Sequence, residues 1–364
     1  MKFLWSGEFD PAIYEEFKKY GEVVTTFPEL PDNGNEKPPR ISDPERFAET
    51  MKGVDVWVAG YDDLTAEILK NCPDLKLIVS VRDGPDENVD IAACEEMGIP
   101  VYGANGRCAV SVAEMTMALC ANLARPIIKV STAMRGDIKW TGASRALFRK
   151  MVFTSTELYE KTMGIVGLGR NGRQLAKIAQ GYGMRVIAYD PFVDKETMES
   201  LGVEKFELMD LMATADYVCP QVRLTKDNEK IISAECIAAM KPTACIVNTA
   251  RGKLIDEPAL IKALKEGKIR GAALDVYNPE PSPKSTSDED GLNPEIYDIP
   301  ADRLILTNHM AGFSQERAHH QSENAFKAFK SFINGEQAPG LITKKVFESP
   351  NFPERGGKLF GSAK

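Results

Sequence analysis

TMGIVGLGRNGRQLAKIAQGYGMRVIAYDP, residues 162–191, is where the chain declares its architecture. Met163 to Val166 is a short apolar run, as expected of a strand buried on both faces. Gly167, Gly169 and Gly172 follow as G-x-G-x-x-G, RQLAKIAQGYG reads as an amphipathic helix, and a second strand from Arg185 to Tyr189 ends on Asp190. Each part suits a bound dinucleotide. Gly167 permits the tight turn, Gly169 lets backbone amides approach a pyrophosphate, and Gly172 lets the helix pack on the strand with its positive end toward the phosphates. Asp190 lies 18 residues past the last glycine, close to the ~20 expected of an acid that grips the adenosine ribose. Alone, the glycine pattern is weak; the flanking strand, helix and acid give it weight. A carboxylate there repels a 2′-phosphate and no cation follows at once in PFVD, so NAD is expected rather than NADP. Arg170 and Asn171, inside the pattern, join Gly167, Gly169, Gly172 and Asp190 as candidate cofactor residues.

Outward from this stretch, both flanks alternate strand and helix. Lys2 to Trp5, Val23 to Thr26, Val54 to Val58, Leu77 to Val81 and Ile99 to Tyr102 read as strands. Helices are expected at Pro11 to Tyr20 behind Asp10, at Pro44 to Met51, at Leu64 to Lys70 and at Ile91 to Met97. Such alternation implies a parallel sheet covered on both faces. From Ala109 a long helix runs on, interrupted at Pro126. Beyond Asp190, strands are expected at Ala215 to Cys219, Ile246 to Asn248, Ala272 to Val276 and Leu304 to Thr307. A last helix, Ser314 to Ile333, crosses back to the first domain. The segment 279–300 is a polar, Pro-rich loop, and the tail from Gly335 reads as loop-like, with FPERGGKLFGSAK partly disordered.

Composition bounds the function. With 364 residues, 43% hydrophobic and 27% charged, the chain has room for two globular cores. A net charge of −8 argues against nucleic acid or an anionic membrane as a partner. MKFLWSGEFDP turns polar too soon for a signal peptide, and no later apolar run approaches ~18 residues. The seven cysteines form no C-x-x-C pair and mostly sit in apolar segments, which points to a reducing, cytoplasmic setting. No His/Cys/Asp cluster has metal-ligand spacing, so no metal is expected.

Three polar residues follow strands of the second half: Arg251 after CIVNTA, Glu280 after AALDV in YNPEP, and His309 after LILTN. Singly, each has a plainer reading, as a surface cation, a solvated loop acid and a neutral core histidine. Together they suit one reaction. A cation holds the carboxylate of a 2-keto acid, a histidine passes a proton near neutral pH, and a carboxylate orients the ring. His319 and His320 adjoin in the last helix, so they are expected on a solvated or dimer face.

NTARGKLIDEPALIKALKEGKIRGAALDVYNPEP followed by LTNHMAG resembles the D-isomer-specific 2-hydroxyacid dehydrogenase family, as do the glycine stretch and NVDIAACEEMGIPVYGANGRCAVSVAEMTMAL. The resemblance covers about residues 54 to 335. It implies two doubly wound α/β domains, a Rossmann NAD-binding domain (126–314) inserted into a flavodoxin-like substrate domain (1–125 and 315–364). It implies catalytic roles for Arg251, Glu280 and His309, with Arg251 on the substrate. Asp275 would contact the nicotinamide, Thr116, Thr249 and Ala250 would join the cofactor set, and Arg82, Asp83 and Gly84 would hold the substrate carboxylate. A homodimer is usual in that family, and the implied activity interconverts a 2-keto acid and a D-2-hydroxy acid.

Some positions depart from the family pattern. RDGPDENVD (82–90) replaces the commoner G-x-G-x-D-N-I-D and adds charge suited to a polar or phosphorylated substrate end, Arg223 stands where proline is common, and Asn308 precedes the histidine in place of proline. Two other readings stay open. One is an NAD(H)-sensing binding protein like the corepressors of the superfamily; NADH oxidation with a keto acid would separate it. The other is a formate or phosphite dehydrogenase, whose reaction needs no proton on an alkoxide.

Overall fold

Strands of two to four residues build the first sheet. β1 (Lys2–Trp5), β2 (Glu22–Thr25), β3 (Val56–Ala59), β4 (Leu77–Ser80) and β5 (Val101–Tyr102) are parallel, in the order β2-β1-β3-β4-β5. This is the flavodoxin-like order. β3 and β4 are buried throughout, as a parallel sheet covered on both faces requires. α1 (Pro11–Lys18), α2 (Pro44–Thr50), α3 (Ala66–Lys70) and α4 (Ile91–Glu96) connect the strands. α1 begins where Asp10 accepts the amides of Ala12 and Ile13, with Pro11 in its first turn. Phe47, Trp57 and Ile78 fill one face of the sheet. Phe3, Trp5 and Phe17 fill the other, together with Phe329 and Phe332 from the helix Glu316–Ile333.

This computed structural model describes residues 1–7, 9–26, 44–60, 62–82, 84–104, 106, 108–136, 141–142, 144–146, 149, 155–279, 292–300 and 302–363. The chain divides into two units, Met1–Arg107 with Ser314–Lys364, and Cys108–Phe313. The first border falls at 107/108 rather than the expected 125/126. The reason is α5 (Ala109–Ala124), whose Ala113, Met117, Cys120 and Leu123 enter the core of the second unit. Pro126 ends α5, and α6 (Ile127–Arg135) starts anew beyond it. Arg125 is extended, at φ −125 and ψ 116, as a residue before proline prefers. α6 buries none of its residues, and Ile127, Ile128 and Met134 are exposed.

The second sheet contains β6 (Thr162–Val166), β7 (Arg185–Tyr189), β8 (Glu204–Lys205), β9 (Tyr217–Pro220), β10 (Cys245–Asn248), β11 (Gly271–Leu274) and β12 (Leu304–Leu306). All are parallel, in the order β12-β11-β10-β9-β6-β7-β8, a Rossmann order with its switch point at β6. α7 (Arg170–Gly181), α8 (Lys195–Ser200), α9 (Leu208–Thr214), α10 (Ala234–Ala239) and α11 (Glu257–Lys265) link these strands, and α12 is the returning helix Glu316–Ile333. Six of the seven cysteines, all but Cys108, are buried; burial pushes the thiols of Cys94 and Cys245 up to about 12.

The tail is ordered, contrary to the expected partial disorder. Val346 and Leu359 are buried in the first unit, with Phe347, Phe352 and Phe360 packed beside them. Arg355 Nη1 donates to the carbonyls of Cys72, Pro73 and Leu75. Backbone meets backbone at Gly98, where an added Cβ would lie 2.4 Å from Phe352 N. Such a fit leaves no periodic pattern in the sequence.

Candidate active site

The glycine turn begins where β6 stops. Gly167 has φ 100, and a Cβ there would stand 2.3 Å from Val222 Cγ1. A Cβ on Gly172 would stand 2.2 Å from the Gly167 carbonyl. Both glycines are therefore demanded by the protein itself. Gly169 differs, because a Cβ there meets nothing within 4 Å. The protein itself leaves that position open, and among the described residues no side chain caps α7 at Gly169. An uncapped helix start behind an open glycine fits a pyrophosphate. Arg170 and Asn171 open this helix.

Asp190 ties the turn together. Its Oδ2 accepts the amide of Leu168 at 2.8 Å and its Oδ1 that of Phe192 at 2.9 Å, while Arg173 Nε donates to the Leu168 carbonyl. A carboxylate offers about four lone-pair positions, so acceptor capacity remains for ribose hydroxyls.

At the end of β10, Asn248 shapes the next turn. Its Oδ1 accepts the amide of Ala250 at 3.0 Å and its Nδ2 donates to the Arg251 carbonyl at 2.9 Å. Gly252 is packed so closely that a Cβ would lie 1.8 Å from the Tyr277 carbonyl oxygen. Arg251 is exposed, with Nη1 donating to the Ala250 carbonyl at 2.7 Å. Thr249 is held from below. Thr116 Oγ1 donates to the Val112 carbonyl, which spends its proton, so Thr249 Oγ1 donates to Thr116 at 2.7 Å. Thr249 can then accept from Gln221 Nε2 at 3.1 Å. The wire runs one way, from Gln221 at the end of β9 into α5. Thr116 is fully buried and Thr249 nearly so, so both work through the turn they hold.

Asp275, just past β11, is fully enclosed. Its Oδ1 accepts the Thr307 hydroxyl and the Met310 amide, and its Oδ2 accepts the Ala311 amide at 2.8 Å. Its main-chain carbonyl accepts the His309 amide at 2.7 Å. These bonds hold His309 at φ 56, a left-handed conformation, with its side chain exposed. Tyr277 braces the same turn, its hydroxyl set between the carbonyls of Leu274 and Thr307, which share its one proton. Burial and the Asp275 charge push its phenol up to about 12. Tyr277, Leu292 and Leu306 to Met310 line a cavity of about 650 Å³.

Arg251, Asp275 and His309 thus follow the neighbouring strands β10, β11 and β12 at one edge of the second unit. Glu280 and Asp83 lie outside the described residues. Arg82 and Gly84 belong to the first unit. There Arg82 Nη1 donates to Asn88 Oδ1 at 2.9 Å, and its amide to Ser80 Oγ. Asn88 is fixed in turn by the Asp62 carbonyl. Sequence reasoning missed Asn88, Gln221, Asn248 and Thr307. Gln221, Asn248 and Thr307 share one signal, a polar residue at the end of an apolar run; Asn88, inside the polar stretch RDGPDENVD, has none. The adjoining histidines split, with His319 Nδ1 at 3.1 Å from Asp10 Oδ2 at the start of α1.

Residues 117–311 match the D-isomer specific 2-hydroxyacid dehydrogenase, NAD binding domain. The chain is 38% identical over 318 residues to D-3-phosphoglycerate dehydrogenase of Methanocaldococcus jannaschii, covering 86% of this chain and 56% of that protein. It therefore spans little more than half the length of that relative. Glyoxylate reductase of Pyrococcus furiosus is 33% identical over 314 residues, 85% of this chain and 89% of that one. D-mandelate dehydrogenase of Rhodotorula graminis shares the fold, with a TM-score of 0.77 at 23% identity over 94% of this chain and 97% of that one. The chain belongs to the D-isomer specific 2-hydroxyacid dehydrogenases, a family of nicotinamide-dependent oxidoreductases.

Proposed function

We propose that the protein interconverts a 2-keto acid and a D-2-hydroxy acid with NAD(H), with Arg251 on the substrate and His309 and Glu280 as its acid–base pair. The observation that carries this reading is the turn 307–311, where an enclosed carboxylate holds an exposed histidine in a left-handed conformation. Such a conformation costs about 1–2 kcal/mol and is kept where the side chain's aim matters. The bound cofactor supplies a hydride to the carbonyl carbon. Arg251 pairs with the substrate carboxylate through its planar fork, and His309 gives the new alkoxide its proton. In the reverse direction the neutral ring takes that proton back.

The relatives named for glyoxylate and for 3-phosphoglycerate favour a short substrate. Arg82, anchored through Asn88, supports an anionic far end. The unburied α6, with Ile127, Ile128 and Met134 exposed, supports a homodimer, which Ile128→Glu would convert to monomer in sedimentation. The mostly buried cysteines, none of them in a C-x-x-C pair, support the cytoplasm. The test is NADH oxidation with glyoxylate, pyruvate and 3-phosphohydroxypyruvate. Turnover of one of them, lost in His309→Ala with NADH still bound, is expected; no turnover with any 2-keto acid would refute the assignment.

A further inference from the structure

α11 begins with two acids that do different work. Asp256 caps the helix by accepting the Ala259 amide. Glu257 stands at the first helical position, where a carboxylate gains from the helix dipole while staying in water. Here it is only 7% exposed, and its Oε2 accepts the amide of Asn278 at 3.1 Å, 21 residues along the chain. Burial raises its carboxyl above the ordinary value, while the Asn278 amide draws it down. The helix gains nothing from that enclosure. The turn after β11 does.

The same turn is fixed on two other sides. The Tyr277 hydroxyl is set between the carbonyls of Leu274 and Thr307, and the Gly252 backbone lies against the Tyr277 carbonyl. One connection, 251–257, thus grips residues 277 and 278 near both of its ends, and Arg251 is its first residue. Asn278 precedes Glu280 by two residues, and the ring of Pro279 between them fixes one of the torsions that separate them. We propose that Glu257 is a positioning residue for Glu280: by holding the Asn278 amide it sets the direction in which the chain delivers the acid partner of His309. This rests on Glu280 being that partner.

The experiment compares Glu257→Gln, Glu257→Asp, Glu280→Gln and the double change of Glu257→Asp with Glu280→Gln. Gln keeps the reach and an accepting oxygen but loses the charge, whereas Asp keeps the charge and draws the oxygen back by one methylene. Profiles of kcat/KM against pH are measured in both directions, with NADH affinity by fluorescence and thermal melting beside them. Glu257→Asp should lower kcat roughly tenfold, leave NADH affinity unchanged, and move both limbs to lower pH, as Glu280→Gln does. Glu257→Gln should keep the limbs and most of the rate. In the Glu280→Gln background Glu257→Asp should move the limbs no further, because residues that act as one unit do not add. A carboxylate that serves only the helix gives the opposite order, with Asp tolerated and Gln impaired, and that result would overturn the proposal. Unmoved limbs in Glu257→Asp, or a further shift in the double variant, would overturn it too. Unmoved limbs in Glu280→Gln alone would instead refute the pairing with His309, and the proposal with it.

Discussion

The main-chain carbonyl of Asp275 accepts the amide of His309, and its carboxylate accepts the amides of Met310 and Ala311. One buried residue therefore sets both the conformation of the histidine and the path of the chain after it. Asp275→Asn keeps the size but places an NH₂ group where an amide N–H must be accepted. It should destabilise the fold by about 2–4 kcal/mol, since hydrogen bonds to charged groups are the strong ones. Turnover should fall roughly a hundredfold from loss of aim. Thermal melting and steady-state kinetics check this, and an unshifted melting temperature would contradict it.

Arg251 is exposed on a turn that Asn248 holds through main-chain atoms alone. Arg251→Lys leaves that turn intact and keeps the charge, but loses the two-point fork. A fall of roughly a hundredfold in kcat/KM is expected, with NADH affinity and melting temperature unchanged. Near-full turnover on every accepted substrate would make the residue dispensable for binding.

Asp190 fastens the glycine turn through Leu168, and on the proposed reading it also accepts the ribose. Asp190→Ala should weaken NADH about tenfold or more and gain little NADPH affinity, because the turn itself loosens. Asp190→Asn can still accept one of the two amides and should lose less. Equal use of both cofactors by the unsubstituted protein would refute this role.

Keto-acid reduction needs the protonated ring of His309, so its rate should fall as pH rises, while hydroxy-acid oxidation should show the opposite limb. A carboxylate partner favours the charged ring. Glu280→Gln should therefore move both limbs to lower pH, leaving reduction weaker at neutral pH and partly recovered in acid. Profiles of kcat/KM against pH in both directions would decide, and unmoved limbs would separate Glu280 from His309.

What could be read in advance follows the range of the forces. Gly167 and Gly172 are legible because a turn and a helix contact within a few residues demand them. Asp190 and Arg251 are legible because strand ends in such sheets carry the chemistry. Asp275 is marked in the sequence by the family resemblance alone, and its enclosure comes from β12 and the turn after it, about thirty residues on. The short α10, capped by Ser233, is too brief for its period to register. The tail was misread because Phe347, Phe352 and Phe360 pack on one another and on Phe332 without a regular period, while Arg355 clasps carbonyls more than two hundred positions away, which no local pattern records.

The returning helix and that tail set an order of assembly. The segment Cys108–Phe313 is continuous, so it can collapse as soon as it leaves the ribosome. The sheet that precedes it in the chain lacks Phe329, Phe332 and the Arg355 clasp until the last residues emerge. The first part made is thus the last to be finished, and its apolar face waits open through the synthesis of everything between. Chains released early should carry a sound nucleotide unit attached to an unfinished, aggregation-prone one.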